Sequence, residues 1–204
     1  MRFLRKPRTA PGSVGILSSA FHPPTRAHLA LAQAALDTFE TQEVLFVLPR
    51  RFPHKAYDAI TLEDRLDLVL EATAHEERFS VAVAEAGLFL EIAREARAHY
   101  SHTARLRFLC GRDAAERIVG WDYGDLPPIT AQLREFELLV APRQGHYQPP
   151  AHLRNAIAPL RIAQEWDEVA SSVVRQRLDE GDGWEHWIPA SIVDRVRQIY
   201  GRKR

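Results

Sequence analysis

A single cysteine, Cys110, is the only thiol in these 204 residues, so no disulfide can form within the chain and a reducing compartment is expected. Net charge is also missing: 27 Lys and Arg offset 27 Asp and Glu. A general nucleic-acid binder would be visibly basic, so that class is set aside. No apolar run approaches the length of a membrane span. The basic start, Met1 to Arg8, leads into no apolar h-region and does not read as a signal peptide. Neither G-x-x-x-x-G-K-[ST] nor G-x-G-x-x-G occurs, which removes the P-loop and the common dinucleotide fingerprint. What remains is an ordinary globular composition, 46% apolar and 26% charged, in a length that fits one domain. A cytoplasmic protein is expected.

Periodicity supplies the organisation. Residues 1–12 read as a basic arm, and residues 13–204 as one domain whose last part, 169–204, is a helical segment. Strand-length apolar runs are expected at Val14–Leu17, Glu43–Leu48, Phe79–Val83, Leu106–Cys110, Phe136–Ala141 and, shorter, Leu160–Ala163. Between them lie helical patterns: one opened by Thr25 with Leu29, Ala32, Leu36 and Phe39 on a face, and one opened by Thr61 with Leu62, Leu66, Val69 and Leu70 inward. Further helices are expected at Leu88–Tyr100 and Ala114–Val119, from Ser171 to a stop at Gly181-Asp-Gly183, and from an opening at Pro189. Alternating strands and helices imply an α/β fold, a Rossmann-like parallel sheet with helices on both faces. Ligands in such sheets sit beyond the carboxyl ends of the strands.

The stretch from Val14 to Leu36 concentrates the chemistry. A strand, the polar turn at Ser18-Ser19, the stiff Pro23-Pro24 pair and a helix N-cap at Thr25 together make an anion site, because the first-turn N–H groups are unpaired and the helix dipole is positive there. His28 falls in that first turn and points toward the same anion. Polar punctuation at His54-Lys55, Gly111-Arg112-Asp113 and Arg143 also falls at strand ends.

The run Ser18-Ser19-Ala20-Phe21-His22-Pro23-Pro24-Thr25-Arg26-Ala27-His28 resembles the signature G-x-F-x-P-x-[HT]-x-x-H of nucleotidyltransferases. From residue 14 onward the chain is most similar to the nicotinate or nicotinamide mononucleotide adenylyltransferases. Pro53-His54-Lys55 with Arg65, Gly111-Arg112-Asp113 with Trp121, Pro142-Arg143-Gln-Gly145, and Ala170-Ser171-Ser172-Val-Val-Arg175 match that family's motifs in order. Ser18-Ser19 stands where the family has Gly-Gly. Glu85-Ala-Gly-Leu-Phe-Leu-Glu-Ile replaces the S-Y-T-x-x-T-L segment that helps build the pyridine pocket in bacterial members.

The resemblance implies transfer of AMP from ATP to nicotinate or nicotinamide mononucleotide with release of pyrophosphate, in NAD biosynthesis. His28 would serve the α-phosphate. Thr25 and the backbone at Ser18 and Ser19 would hold neighbouring oxygens, with Ala20, Phe21 and His22 beside them in the nucleotide-binding set. Ser171, Ser172 and Arg175 would hold the β- and γ-phosphates, and Lys55 would neutralise phosphate from the other side. Gly111, Arg112, Asp113, Trp121 and Arg143 complete the nucleotide-binding set, with Asp113 a ribose or acceptor contact. Mg²⁺ would ride on the triphosphate, with no protein residue assigned to it. Alternatives are a transferase that uses another phosphorylated acceptor, such as phosphopantetheine or a phosphorylated alcohol, and a nucleotide-binding homologue without catalysis. No nucleic-acid or membrane partner is expected, and self-association stays open. Read by themselves, Arg65 is a solvated or acid-paired helix residue and Cys110 an inert buried thiol.

Overall fold

A computed structural model of the chain describes residues 1–6, 11–51, 60–142 and 145–201. Seven strands form one sheet: β1 (Arg2–Arg5), β2 (Ser13–Ser18), β3 (Glu43–Pro49), β4 (Phe79–Ala84), β5 (Arg105–Gly111), β6 (Glu137–Ala141) and β7 (Ile157–Pro159). Their spatial order is β1-β4-β3-β2-β5-β6-β7, and every pairing is parallel except β1 with β4. The helices are α1 (Arg26–Thr38), α2 (Leu62–Ala72), α3 (Phe89–Arg97), α4 (Arg112–Gly120), the single turn α5 (Ile129–Gln132), α6 (Ser171–Glu180) and α7 (Val193–Gly201).

The period of two along each strand sorts the core into two layers. Val44, Phe46 and Leu48 pack with Ala32, Leu36, Leu66 and Val69 under α1 and α2. Leu45 and Val47 join Phe108, Leu90 and Ala115 under α3 and α4 on the opposite face. Both faces are therefore covered, which is why the central strands read as continuous apolar runs and not as alternating ones. A third cluster, with Trp184, Ile188, Ile192 and Val196, fastens α7 and α6 to Leu68 and Ala72 of α2.

Three expectations change. The basic arm holds a strand, β1, whose Phe3 packs on one layer and Leu4 on the other. Arg5 of that strand donates to the carbonyls of Leu70, Thr73 and Phe79, so it satisfies the C-terminal carbonyls of α2 with a favourably placed cation. Leu160–Ala163 is not a strand. The pairing lies three residues earlier, because β7 is an edge strand and tolerates Pro159. The final helix starts at Val193 after a 3₁₀ turn over Ala190–Ile192, not at Pro189.

Chain order runs outward from β2 through β3 to β4, then returns to place β5 on the other side of β2. The crevice at that reversal opens between the carboxyl ends of β2 and β5. In doubly wound sheets this is where ligands enter.

Candidate active site

A cavity of about 920 Å³ occupies that crevice. It brings together Ser18, Ser19, Ala20, Phe21, His22, Thr25 and His28 from the β2–α1 region, Gly111 and Trp121 at the two ends of α4, and Ser171, Ser172 and Arg175 of α6. Arg112 and Asp113 do not line it. Asp113 is exposed in the first turn of α4, and Arg112 turns to Glu116 at 2.7 Å. Lys55 and Arg143 lie outside the described residues, as do Pro53 and His54.

The β2–α1 turn is held from several sides. The Ser19 N–H donates to the Val47 carbonyl at 3.2 Å, so this amide serves the sheet and not a phosphate oxygen. Phe21 adopts φ of +47°, a left-handed conformation that costs a non-glycine residue ~1–2 kcal/mol. Its ring is fully buried, 5.7 Å from Phe46 and 5.0 Å from His28. Burial of that ring, worth ~1.5–3 kcal/mol, offsets the strain. Arg65 is buried, contrary to the solvated reading. Its guanidinium donates to the Ala20 carbonyl at 3.1 Å, from inside α2 and against the back of the turn.

Thr25 is completely buried in extended conformation at the N-cap of α1. Its backbone N–H donates to Nδ1 of His28 at 3.0 Å, and its Oγ1 lies 2.8 Å from the same nitrogen. His28 thus takes the role that Glu or Gln fills in a capping box. With Nδ1 accepting, a neutral ring carries its proton on Nε2. That nitrogen lies 3.4 Å from Ser19 Oγ, at the cavity wall.

The α6 helix is stapled to the same turn. Arg175 donates to the His22 carbonyl at 2.6 Å, and Ser171 Oγ donates to the Pro23 carbonyl at 2.7 Å. The His22 ring packs at 5.4 Å on Tyr200 of α7. The α6 helix closes at Gly181, whose φ of +73° suits the left-handed cap. Helices α2, α3, α4 and α7 each carry an acidic residue in the first turn, whereas α1 and α6 carry none. Of the helix N-termini whose residues line the cavity, those of α1 and α6 therefore hold no carboxylate to compete with a ligand's negative charge.

No carboxylate lines the cavity among the described residues, and its charged or titratable lining comprises His22, His28, Arg117, Tyr123 and Arg175, besides the thiol of Cys110. Burial pushes the Cys110 thiol up to about 12, so it stays protonated and is no nucleophile. The described residues hold no cluster of three His, Cys, Asp or Glu that could bind a metal ion.

Several lining residues escape sequence reasoning. Gly87, Leu88 and Phe89 belong to the segment that departs from the bacterial motif, and they form one wall. Arg117 and Tyr123 flank Trp121. Ile162 and Trp166 come from the stretch after β7, where Leu160–Ala163 reads as a strand by its apolar content alone. The one usable signal is helical spacing, which places Arg117 on the face shared by Ala114 and Trp121.

A family model described as cytidylyltransferase-like matches residues 16–177. A protein of Moorella thermoacetica named "Probable nicotinate-nucleotide adenylyltransferase" is 28% identical over 204 residues, covering 93% of this chain and 91% of the relative. A protein of the same name from Thermus thermophilus is 29% identical, with 88% and 93% covered. In fold, the chain superposes on the Plasmodium falciparum nicotinic acid mononucleotide adenylyltransferase complexed with NaAD, with a TM-score of 0.73, 14% identity, and 93% and 97% of the two chains covered.

Proposed function

Because the chain belongs to the cytidylyltransferase-like family, we propose that it transfers AMP from ATP to a pyridine mononucleotide, nicotinate mononucleotide first, and releases pyrophosphate. The observation that carries this reading is the convergence of the acid-free N-termini of α1 and α6, His28 and Arg175 on a cavity whose described lining holds no carboxylate, at the sheet's reversal point. The names of the Moorella and Thermus relatives support the acceptor.

In the reaction an oxygen of the acceptor's 5′-phosphate attacks the α-phosphorus of ATP. A new phosphorus–oxygen bond forms as the bond to the β-phosphate oxygen breaks, and pyrophosphate leaves with that electron pair. The protein's share is positioning and charge stabilisation, with no covalent intermediate. His28 Nε2–H donates to an α-phosphate oxygen, and this bond strengthens as charge builds there. Ser171, Ser172, Arg175 and the first-turn amides of α6 hold the β- and γ-phosphates, where a guanidinium can bind two oxygens at once. Lys55, in the sequence that follows β3, adds a cation. Trp121, exposed at the rim, and Trp166 supply ring surfaces for the two bases.

The cavity wall offers no carboxylate among the described residues, so Mg²⁺ would arrive on the triphosphate and its waters, neutralising phosphate charge there. A cytoplasmic setting fits a chain that keeps its one cysteine as a buried thiol. Incubation with ATP labelled at the α-phosphorus and nicotinate mononucleotide tests the reading. The label should move into a dinucleotide while pyrophosphate leaves unlabelled. Label retained in AMP, or no release at all, would contradict it.

A further inference from the structure

The cavity has a second cation whose place in the site no motif accounts for. On α4 the residues Ala114, Arg117 and Ile118 line the cavity at i, i+3 and i+4, with Trp121 just past the helix end, so Arg117 sits within the helix face turned toward ligand. Phe89 and Ile118 pack on the core layer under α3 and α4, whereas His28 rises from α1 on the opposite face of the sheet. The cavity therefore spans both faces, with Arg175 and His28 serving one side and Arg117 the other. Arg112, one turn earlier, is paired with Glu116, but Arg117 forms no ion pair with another described residue.

Chemistry narrows what Arg117 receives. A guanidinium presents only donors, and a carboxylate presents only acceptors. A carboxamide turns its NH₂ group against those donors and gives up half of a bidentate pair. Leu88, Phe89 and Ile118, which line the same cavity, carry no side-chain polar atom that would compensate. The Tyr123 hydroxyl spends its proton on the Ile118 carbonyl at 3.0 Å, so Arg117 and not this hydroxyl is left to donate to a ligand carboxylate.

We infer that Arg117 reads the ring substituent of the acceptor, pairing with the carboxylate of nicotinate mononucleotide and so selecting the acid over the amide. This rests on the acceptor proposed above, and the test separates the two. Calorimetry is run on wild type, Arg117→Gln and Arg117→Lys, each saturated with a non-hydrolysable ATP analogue and titrated with nicotinate or nicotinamide mononucleotide. Wild type should bind the acid at least about tenfold more tightly than the amide, the scale of one charge-assisted bidentate pair. Arg117→Gln should bring the two within about threefold by weakening the acid alone, and Arg117→Lys should restore part of the preference. Arg117 is exposed on α4, and thermal melting checks that the variants stay folded. Selectivity that survives in Arg117→Gln, or a wild type that does not discriminate or binds neither, overturns the inference. Turnover of the wild type, assayed in parallel, answers for the reaction itself: binding discrimination without turnover leaves Arg117's role standing and removes the proposed transfer.

Discussion

The backbone N–H of Thr25 donates to Nδ1 of His28 at 3.0 Å, and this bond decides which ring nitrogen offers a proton to the cavity. A residue that caps its own helix is thereby fixed in tautomer and direction at once. The residue type at position 25 matters less for this than its buried, extended backbone, which aims the amide at the ring.

Replacing His28 with Ala should lower kcat by about 100-fold or more, the usual loss when a donor to developing charge is removed. It also removes a cap bond, so a stability loss of ~1 kcal/mol is expected. Steady-state kinetics and a thermal melt on the same preparation check both numbers. Turnover within a few-fold of wild type would remove His28 from the chemistry.

Arg65 acts through the turn and is assigned no contact with ligand. Its loss in Arg65→Ala leaves the Ala20 carbonyl without that donor and should cost ~1–3 kcal/mol. Kinetically, KM for ATP should rise more than kcat falls, because the turn that receives phosphate loosens. Arg65→Lys, with one ammonium in place of a planar fork, should recover only part of each effect. Equal effects of Ala and Lys on stability with no change in KM would mean a purely structural role.

Ser171 and Arg175 hold adjacent carbonyls, those of Pro23 and His22. Each single replacement by Ala should raise KM for ATP. The double variant should show less than the sum, with a coupling of at least ~0.5 kcal/mol, because both bonds secure one turn. Strict additivity in a double-mutant cycle would show that they act independently.

Much of this arrangement is legible in the sequence. Apolar runs mark β2 to β6, and turn chemistry marks the helix starts at Thr25, Thr61 and Ser171. The motif order gathers twelve of the described site residues at one cavity. What is not legible has physical causes. Arg5 and Arg65 look like solvent charges, and their use depends on carbonyls brought near by tertiary folding. The β7 pairing depends on an edge position that excuses Pro159. Arg112 is adjacent to Gly111 in sequence, yet the first turn of α4 carries its side chain away from the ligand space. The polar end of a strand identifies a neighbourhood, and helix phase then decides which of its residues enter.

Far from the cavity, Glu43 at the start of β3 is fully buried and accepts from the hydroxyls of Ser80 and Tyr100. Burial raises its pKa above 4.5, against the lowering effect of those two hydrogen bonds and of Lys6. A raised folded-state pKa means that the folded protein binds more protons here. The stabilising contribution is present below about pH 4.5 and is lost as pH rises through the folded value. Glu43→Gln does not titrate, so the melting temperature of wild type minus that of the variant should fall as pH rises from about 4.5 through the folded-state pKa. A difference that stays constant, or grows with pH, would contradict the buried acid.

AMP transfer to a pyridine mononucleotide is tested most directly by pyrophosphate release over a grid of substrates, all with Mg²⁺. The donors are ATP, CTP, GTP and UTP; the acceptors are nicotinate mononucleotide, nicotinamide mononucleotide, phosphopantetheine and phosphorylated alcohols. Release is expected with ATP and a pyridine mononucleotide, fastest with the acid. Release confined to CTP or to a non-pyridine acceptor would contradict the assignment, and so would nucleotide binding without release for every pair.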